Sequence, residues 1–151
     1  MKSFGPWDNS NFEEMMWHDS HFYGFRMENF NNENGSCDLI FDIDYILEWH
    51  KTEDNFMFTV SQAELIFHDA SKLNLALEYD APPAGMCPFM IDGINRKEKT
   101  YITGYKSFDW KIAVSWPPGN ISFSSPQFTQ KLVGKPKYQD SQSLEDTIRK
   151  S

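Results

Sequence analysis

Two aspartates separated by a single residue, Asp42 and Asp44, are the first candidates for a chemical role in this chain. On a β-strand both side chains point to the same face, about 6.6 Å apart. At that spacing two carboxylates can converge on one cation, or act as an acid and a base on a glycoside. The same pair is also typical of the solvated face of a strand, where charge opposes edge-to-edge aggregation. Both interpretations stay open at this stage.

A second group of ionisable side chains lies between Trp17 and His21. Histidine and aspartate are zinc ligands, and two histidines three positions apart can reach one ion if the segment makes a turn. The segment lacks the HExxH spacing of the zinc hydrolases. One hypothesis is therefore a metal-dependent enzyme that uses His18, Asp19 and His21 together with the Asp42/Asp44 pair. Asp44, His50 and His68 are the candidates for the further ligand of the metal ion.

Other catalytic motifs are missing from the sequence. His68 and Asp69 are neighbours, and neighbouring residues on a strand point to opposite faces, so they do not predict a catalytic triad. The chain has no GxSxG elbow, no GxxxxGK[ST] loop and no GxGxxG loop. Nucleophilic hydrolysis and nucleotide binding are therefore not indicated.

The element that must position the aspartates is a long strand between Cys37 and His50. Apolar and polar residues alternate along it almost without exception, and only Ile40 and Ile46 interrupt the polar parity. A helix would scatter the apolar residues around its circumference, whereas a strand places them on one face. The pattern predicts a strand with one apolar face and one acidic face. The acidic face consists of Asp38, Asp42, Asp44 and Glu48.

Similar alternation predicts an all-β fold of antiparallel strands, arranged as a sandwich or a strongly curled sheet. The predicted strands, besides the long one, cover His21–Phe30, Phe56–Val60, Ala63–Phe67, Leu73–Tyr79, Phe89–Ile94, Gly104–Trp116, Ile121–Phe123 and Phe128–Val133. Asn34 and Gly35 have the turn chemistry of a hairpin. Short helical turns are expected near the termini, over Phe12–Met16 with Asn11 and Glu14 as a capping box, and over Ser143–Lys150.

The domain boundaries expected from composition are an N-terminal extension over residues 1–16, one all-β domain over 17–134, and a polar C-terminal tail over 135–151 that frays. The formal net charge of −8 repels phosphate backbones and anionic membranes, so nucleic acid and membranes are not expected partners. A basic protein is compatible with this charge. The oligomeric state is not indicated.

The two cysteines do not form a disulfide framework, and neither lies in a CxxC motif. The N-terminus lacks the apolar run of a signal peptide, and no apolar stretch is long enough to span a bilayer. These features favour a cytoplasmic protein with reduced thiols.

Several segments are similar to those of known proteins. They are Trp17-His18-Asp19 followed by Gly24, the run from Asp42 to Trp49, Leu65-Ile66-Phe67-His68-Asp69, the run from Trp116 to Phe123, and Phe128-Thr129-Gln130-Lys131-Leu132. Together, over residues 17–136, they resemble a group of small uncharacterised bacterial cytoplasmic proteins. The WHD opening and the acidic β-rich body also resemble immunity proteins of bacterial toxin systems. The resemblance implies a bacterial source and a fold, but no reaction.

The function that we expect from the sequence is binding rather than catalysis, by an immunity-like module that presents its acidic sheet face to a basic protein. The expected binding residues are Asp38, Asp42, Asp44 and Glu48, with Trp116 at the margin. No cofactor is expected unless the metal hypothesis holds. A third hypothesis is a small-ligand pocket between two sheets, lined by Phe41, Tyr45, Phe67 and Trp110. Residues of these types more often form a packed core.

Overall fold

The computed structural model describes residues 4–80 and 86–149. It confirms the all-β class: one antiparallel sheet of nine strands with only two short helical segments. The strands are β1 (Trp7–Asp8), β2 (His21–Asn31), β3 (Ser36–Lys51), β4 (Phe56–Leu77), β5 (Phe89–Thr100), β6 (Lys106–Trp116), β7 (Gly119–Ser125), β8 (Gln127–Leu132) and β9 (Lys137–Gln139). The helical segments are a 3₁₀ helix over Asn9–Glu14 and α1 over Asp146–Arg149. No helix among the described residues is long and apolar enough to cross a membrane.

The sheet curls until it closes on itself through β4. Neighbouring strands follow the order β4, β3, β2, β5, β6 and β7, and β7 then pairs with β4 again. This closure is possible because β4 has 22 residues and pairs with β3 along one edge, while β9, β8 and β7 lie end to end along its other edge. The curled alternative of the two predicted architectures is therefore the one that the structure adopts.

The long strand β4 replaces three predicted strands. The polar residues between those predictions do not end the strand, because the structure gives them partners. Ser61, fully buried, donates its hydroxyl hydrogen bond to the backbone carbonyl of Gly134 over 3.1 Å. Asp69 adopts a left-handed conformation, with φ of 49°, so that the strand continues past an irregularity in register with β3.

The core lies on the inner face of the closed sheet and is rich in aromatic rings. Phe41, Phe67 and Trp110 are each about 1% exposed. Phe41 meets Phe67 edge to face with their ring centroids 5.6 Å apart, and Phe67 meets Trp110 at 5.0 Å. Together with the buried Tyr45, the residues proposed to line a pocket between sheets therefore fill the core.

Both terminal segments pack on the sheet. Trp7, Phe12 and Met15 contact the main core, and the 3₁₀ helix has Asp8 and Asn11 as its capping box instead of the predicted Asn11 and Glu14. At the other end, β9 pairs with β4. The described part of the tail, through residue 149, is therefore packed against the sheet, and α1 lies within the predicted helical turn.

Candidate functional site

Three of the four residues of the predicted acidic face, Asp38, Asp42 and Asp44, lie in two regions at different places on β3. We call the first the tail clamp; it comprises Tyr23, Asp42, Asp44, Leu144 and Arg149. Asp42 and Asp44 project from the same face of β3, as their spacing predicts, and the C-terminal segment folds over them. Asp44 is fully buried, which the expectation of an acidic face offered to a partner did not include.

The carboxylate of Asp44 is surrounded by hydrogen-bond donors. The hydroxyl of Tyr23 and the backbone N–H of Leu144 each donate to Oδ2 over 2.8 Å. The guanidinium of Arg149 donates to Oδ1 of Asp44 through Nη1 and to Oδ1 of Asp42 through Nη2. Gln62 adds a hydrogen bond to Asp42 over 3.1 Å. Buried charges persist when they are paired and hydrogen-bonded in this way.

Tyr23 and His21 show the electrostatic effect of burial at the clamp. The Arg149 guanidinium carbon lies 3.6 Å from the centre of the Tyr23 ring. Burial, followed by the hydrogen bond to Asp44, raises the pKa of Tyr23 above its ordinary range, so the phenol remains a donor. Burial also lowers the pKa of His21, which lies opposite Asp44 in register, although the Asp44 charge acts in the other direction.

Apolar residues complete the clamp and explain one irregularity of the sequence. Ile46, on the polar parity of β3, is buried with Phe58, Val60 and Leu144 in a second, smaller core. Ile148 packs against the same cluster. An apolar residue within an acidic stripe was thus a signal that another segment covers this face, but it did not identify Arg149 or Tyr23.

Of the other predicted metal ligands, His21 lies opposite Asp44 in register, whereas His18 and Asp19 have other partners. The His18 side chain is half exposed, and its Nδ1 lies 3.0 Å from the backbone carbonyl oxygen of Asp92. Asp19 accepts a hydrogen bond from Gln142 of the tail over 3.1 Å. Among the residues that the structure describes, no group of three or more His, Cys, Asp or Glu side chains is placed to hold a metal ion.

The second region surrounds the β2–β3 hairpin, and we call it the hairpin pocket. It is a cavity of about 350 Å³ between the end of this hairpin and β4. Its lining residues are Met27, Phe30, Asn31, Asn32, Gly35, Ser36, Cys37, Leu39, Ala70, Ser71, Lys72 and Leu73. The buried Leu39 and Cys37 lie at its base, whereas Met27 is 44% exposed and Phe30 66% exposed. Burial, and then the Asp38 charge, raises the pKa of the Cys37 thiol, so this cysteine is a poor nucleophile.

Backbone irregularities converge on this pocket. Three non-glycine residues beside or within its lining have left-handed conformations: Asn29, Asp69 and Lys72, with φ of 55°, 49° and 56°. Register shifts occur at the same places, in the β2–β3, β3–β4 and β4–β7 pairings. Such strained residues persist only where their surroundings hold them, and they concentrate at functional sites.

Asp38, one of the predicted binding residues, holds two of these strained residues. Its carboxylate accepts a hydrogen bond from the Asn29 side-chain amide over 2.8 Å and another from the Asp69 backbone N–H over 3.1 Å. His68 lies 3.8 Å away and adds an ion pair when it is protonated. Asp38 is therefore placed to fix the shape of the pocket rather than to touch what enters it.

The hairpin turn also fixes the rim of the pocket. Gly35 has φ of 68°, as the predicted Asn-Gly turn requires, and its N–H donates to the carbonyl of Asn31 over 2.9 Å. The Asn31 side chain accepts from the backbone N–H of Glu33 over 3.0 Å. These local bonds hold the hairpin end in one conformation.

The two remaining predicted binding residues lie apart from both regions. Glu48 is half-buried and borders a cavity of about 430 Å³ near Phe4 and Trp7. Trp116 ends β6, and its side chain lies outside the described part of the structure. The predicted acidic face is thus divided among the tail clamp, the hairpin pocket and this cavity.

Comparisons of the chain with protein-family models, with curated proteins and with solved structures found no match. The assignment of a function therefore depends on the geometry of the two regions.

Proposed function

We propose that this protein is a non-catalytic binding protein that takes an apolar side chain of a basic protein partner into the hairpin pocket. The observation that carries the proposal is the coincidence of an apolar-lined cavity with three left-handed residues and three register shifts. The left-handed conformation costs about 1 to 2 kcal/mol for a residue such as Lys72, and less for Asn29 and Asp69, whose short polar side chains can hydrogen-bond locally. Three of the four left-handed non-glycine residues that the structure describes lie at this pocket, beside apolar surface, which supports a binding site.

The form of the pocket favours a protein partner over a small molecule. Sites for small ligands surround most of the ligand surface, whereas protein interfaces combine a central apolar anchor with a broader rim. Met27 and Phe30 extend the apolar lining outward to the surface. Asp38 and Asp69 lie beside the pocket, and the whole chain carries −8, so a basic partner is attracted. The likeness to immunity proteins is compatible with this proposal, since a basic toxin would be such a partner.

The test uses a lysine-rich pentapeptide with a central phenylalanine, and the same peptide with alanine at the centre. In protein labelled with ¹³C at the methionine methyl groups, we expect the phenylalanine peptide to shift the Met27 signal saturably. Met16 and Met86, which are exposed elsewhere, serve as internal controls. The binding should weaken at high salt because the attraction is partly electrostatic.

Two exposed aromatic residues provide a matched pair of variants. Phe30→Lys removes the apolar rim of the pocket, whereas Phe56→Lys makes the same change on an exposed residue, 50% accessible, at the start of β4. We expect only Phe30→Lys to abolish the Met27 shift. Equal responses to both peptides would overturn the pocket assignment. Equally strong binding of free toluene, without the basic flanks, would favour the small-ligand alternative instead.

A further inference from the structure

The C-terminal strap, residues 137–149, is held on the sheet by short elements. Its strand β9 has three residues and pairs only with Phe58, Thr59 and Val60 of β4. Its helix α1 has four residues, and helices of this length are not stable alone. The surface beneath it, by contrast, is formed by the long central strands β3 and β4. The strap can therefore open at a lower free energy than the sheet that carries it.

Without the strap, the buried carboxylate on the surface beneath it would lose most of its hydrogen-bond donors. Two of the three residues that donate to the buried Asp44 carboxylate, Leu144 and Arg149, belong to the strap. Without them Asp44 would keep only the Tyr23 hydroxyl, and a buried carboxylate with so few donors is costly. The same opening would expose the apolar residues Ile46 and Phe58. An occupant of this surface must supply both N–H donors and aliphatic groups.

The geometry of the clamp selects a guanidinium group. One terminal nitrogen of Arg149 faces Asp44 and the other faces Asp42, while the group lies over the Tyr23 ring. A planar fork of donors fits two carboxylates and an aromatic face at once, whereas the lysine ammonium is a point charge without a plane. The surface is accordingly built for arginine rather than for positive charge in general.

We propose that the tail clamp is a second protein-binding site, which the strap occupies in the free protein and from which an arginine-bearing segment of a partner displaces it. The segment would carry an aliphatic side chain near its arginine, as the strap does with Leu144 and Ile148. The net charge of −8 attracts a basic segment to this face. This site goes beyond the proposed function because it lies on the outer face, under the strap, and needs no contribution from the hairpin pocket.

The test uses the full-length protein and a fluorescent, N-acetylated and C-amidated peptide with the sequence of residues 141–149, SQSLEDTIR. In Arg149→Ala the internal competitor is weakened, so we expect the peptide to bind at least about tenfold more tightly than it binds the wild-type protein. A peptide with lysine in place of its arginine should lose about tenfold in affinity. Adding Asp42→Asn to Arg149→Ala should weaken binding of the arginine peptide.

Lys106→Ala is the control, because Lys106 is an exposed cation that pairs with Glu98 of β5, away from the clamp. It should leave the affinity at the wild-type value. Equal affinity for Arg149→Ala and the wild type, with both folded by circular dichroism, would contradict the proposal. So would equal binding of the arginine and lysine peptides.

Hydrogen exchange of the wild-type protein tests the proposal if Arg149→Ala does not fold. In the wild-type protein, hydrogen exchange should be at least about a hundredfold faster for the amide of Leu144 than for the amides of Ile43 and Tyr45 in β3. Exchange of the strap and β3 at one common rate would show that the strap opens only when the sheet unfolds. The proposal would then fail, while the hairpin pocket would be unaffected.

Discussion

The tail clamp and the hairpin pocket lie along the same strands, β2 to β4, but polar and apolar groups are placed in opposite ways in the two regions. In the clamp, ionised side chains are buried and meet donors from distant parts of the chain. In the pocket, the polar groups serve to hold strained backbone, and the apolar groups remain partly exposed. In the free protein the carboxylates of the clamp thus stabilise the fold, whereas departures from regular strand geometry surround partly exposed apolar surface at the hairpin pocket.

The difference has a physical cause. The buried carboxylate of Asp44 requires a counter-charge, and the chain supplies its own in Arg149. An exposed apolar rim beside left-handed residues does not by itself stabilise the folded chain.

The largest effect is expected from Asp44→Asn. The substitution leaves the Arg149 guanidinium, whose side chain is 8% exposed, with only Asp42 as an anionic partner. We expect the free energy of unfolding to fall by about 3 kcal/mol, near the lower end for breaking a buried ion pair. Urea denaturation measures the change. Asp42→Asn is the control; since the Asp42 side chain is 38% exposed, it should cost clearly less. Equal losses would mean that the clamp is not centred on Asp44.

An effect of opposite sign is expected at the hairpin pocket. Lys72→Gly should raise the free energy of unfolding by about 1 kcal/mol or less, because glycine adopts the left-handed conformation without a Cβ clash. The affinity for the lysine-rich phenylalanine peptide should rise, because Lys72 lines the pocket and its ammonium group repels the lysines of the peptide. Thermal and urea unfolding give the first quantity, and the methionine signals give the second. Lys72→Ala, which keeps the strain, should not stabilise; if it does so as much as glycine, charge rather than strain is the cause.

The smallest effect concerns pH and the residue opposite the clamp. Burial lowers the pKa of His21 below its ordinary value of 6.5, so the unfolded chain binds this proton at a higher pH than the folded chain. The contribution to stability is therefore present above pH 6.5 and is lost as the pH falls below it. His21→Gln should reduce this slope of unfolding free energy against pH. His18→Gln, which changes a half-exposed side chain, should leave this slope unchanged. A smaller slope in His18→Gln and an unchanged slope in His21→Gln would show that the effect arises outside the clamp.

Much of the fold was predictable because local patterns determine it. The alternation around Asp42 and Asp44 predicted β3, and Asn34-Gly35 predicted the hairpin turn that the structure contains. The sequence did not predict that β4 is one continuous strand. Polar residues such as Ser61 suggest a break in the strand unless their partners, which are distant in sequence, are known. The candidate sites were predicted only in part: Asp38, Asp42 and Asp44 were identified, but not the separate roles that their surroundings give them.

The sequence by itself determined the strand class, the common face of the β3 carboxylates and the acidic charge, because these depend on residues close together in the chain. Only the tertiary structure decided that Asp44 is buried and that Arg149, 105 positions later, neutralises it. It also brought the bends at Asn29, Asp69 and Lys72 together around one cavity. Contacts over such separations depend on how the sheet closes. The periodicity of apolar residues shows only which face of a strand a side chain lies on, so it does not predict that closure.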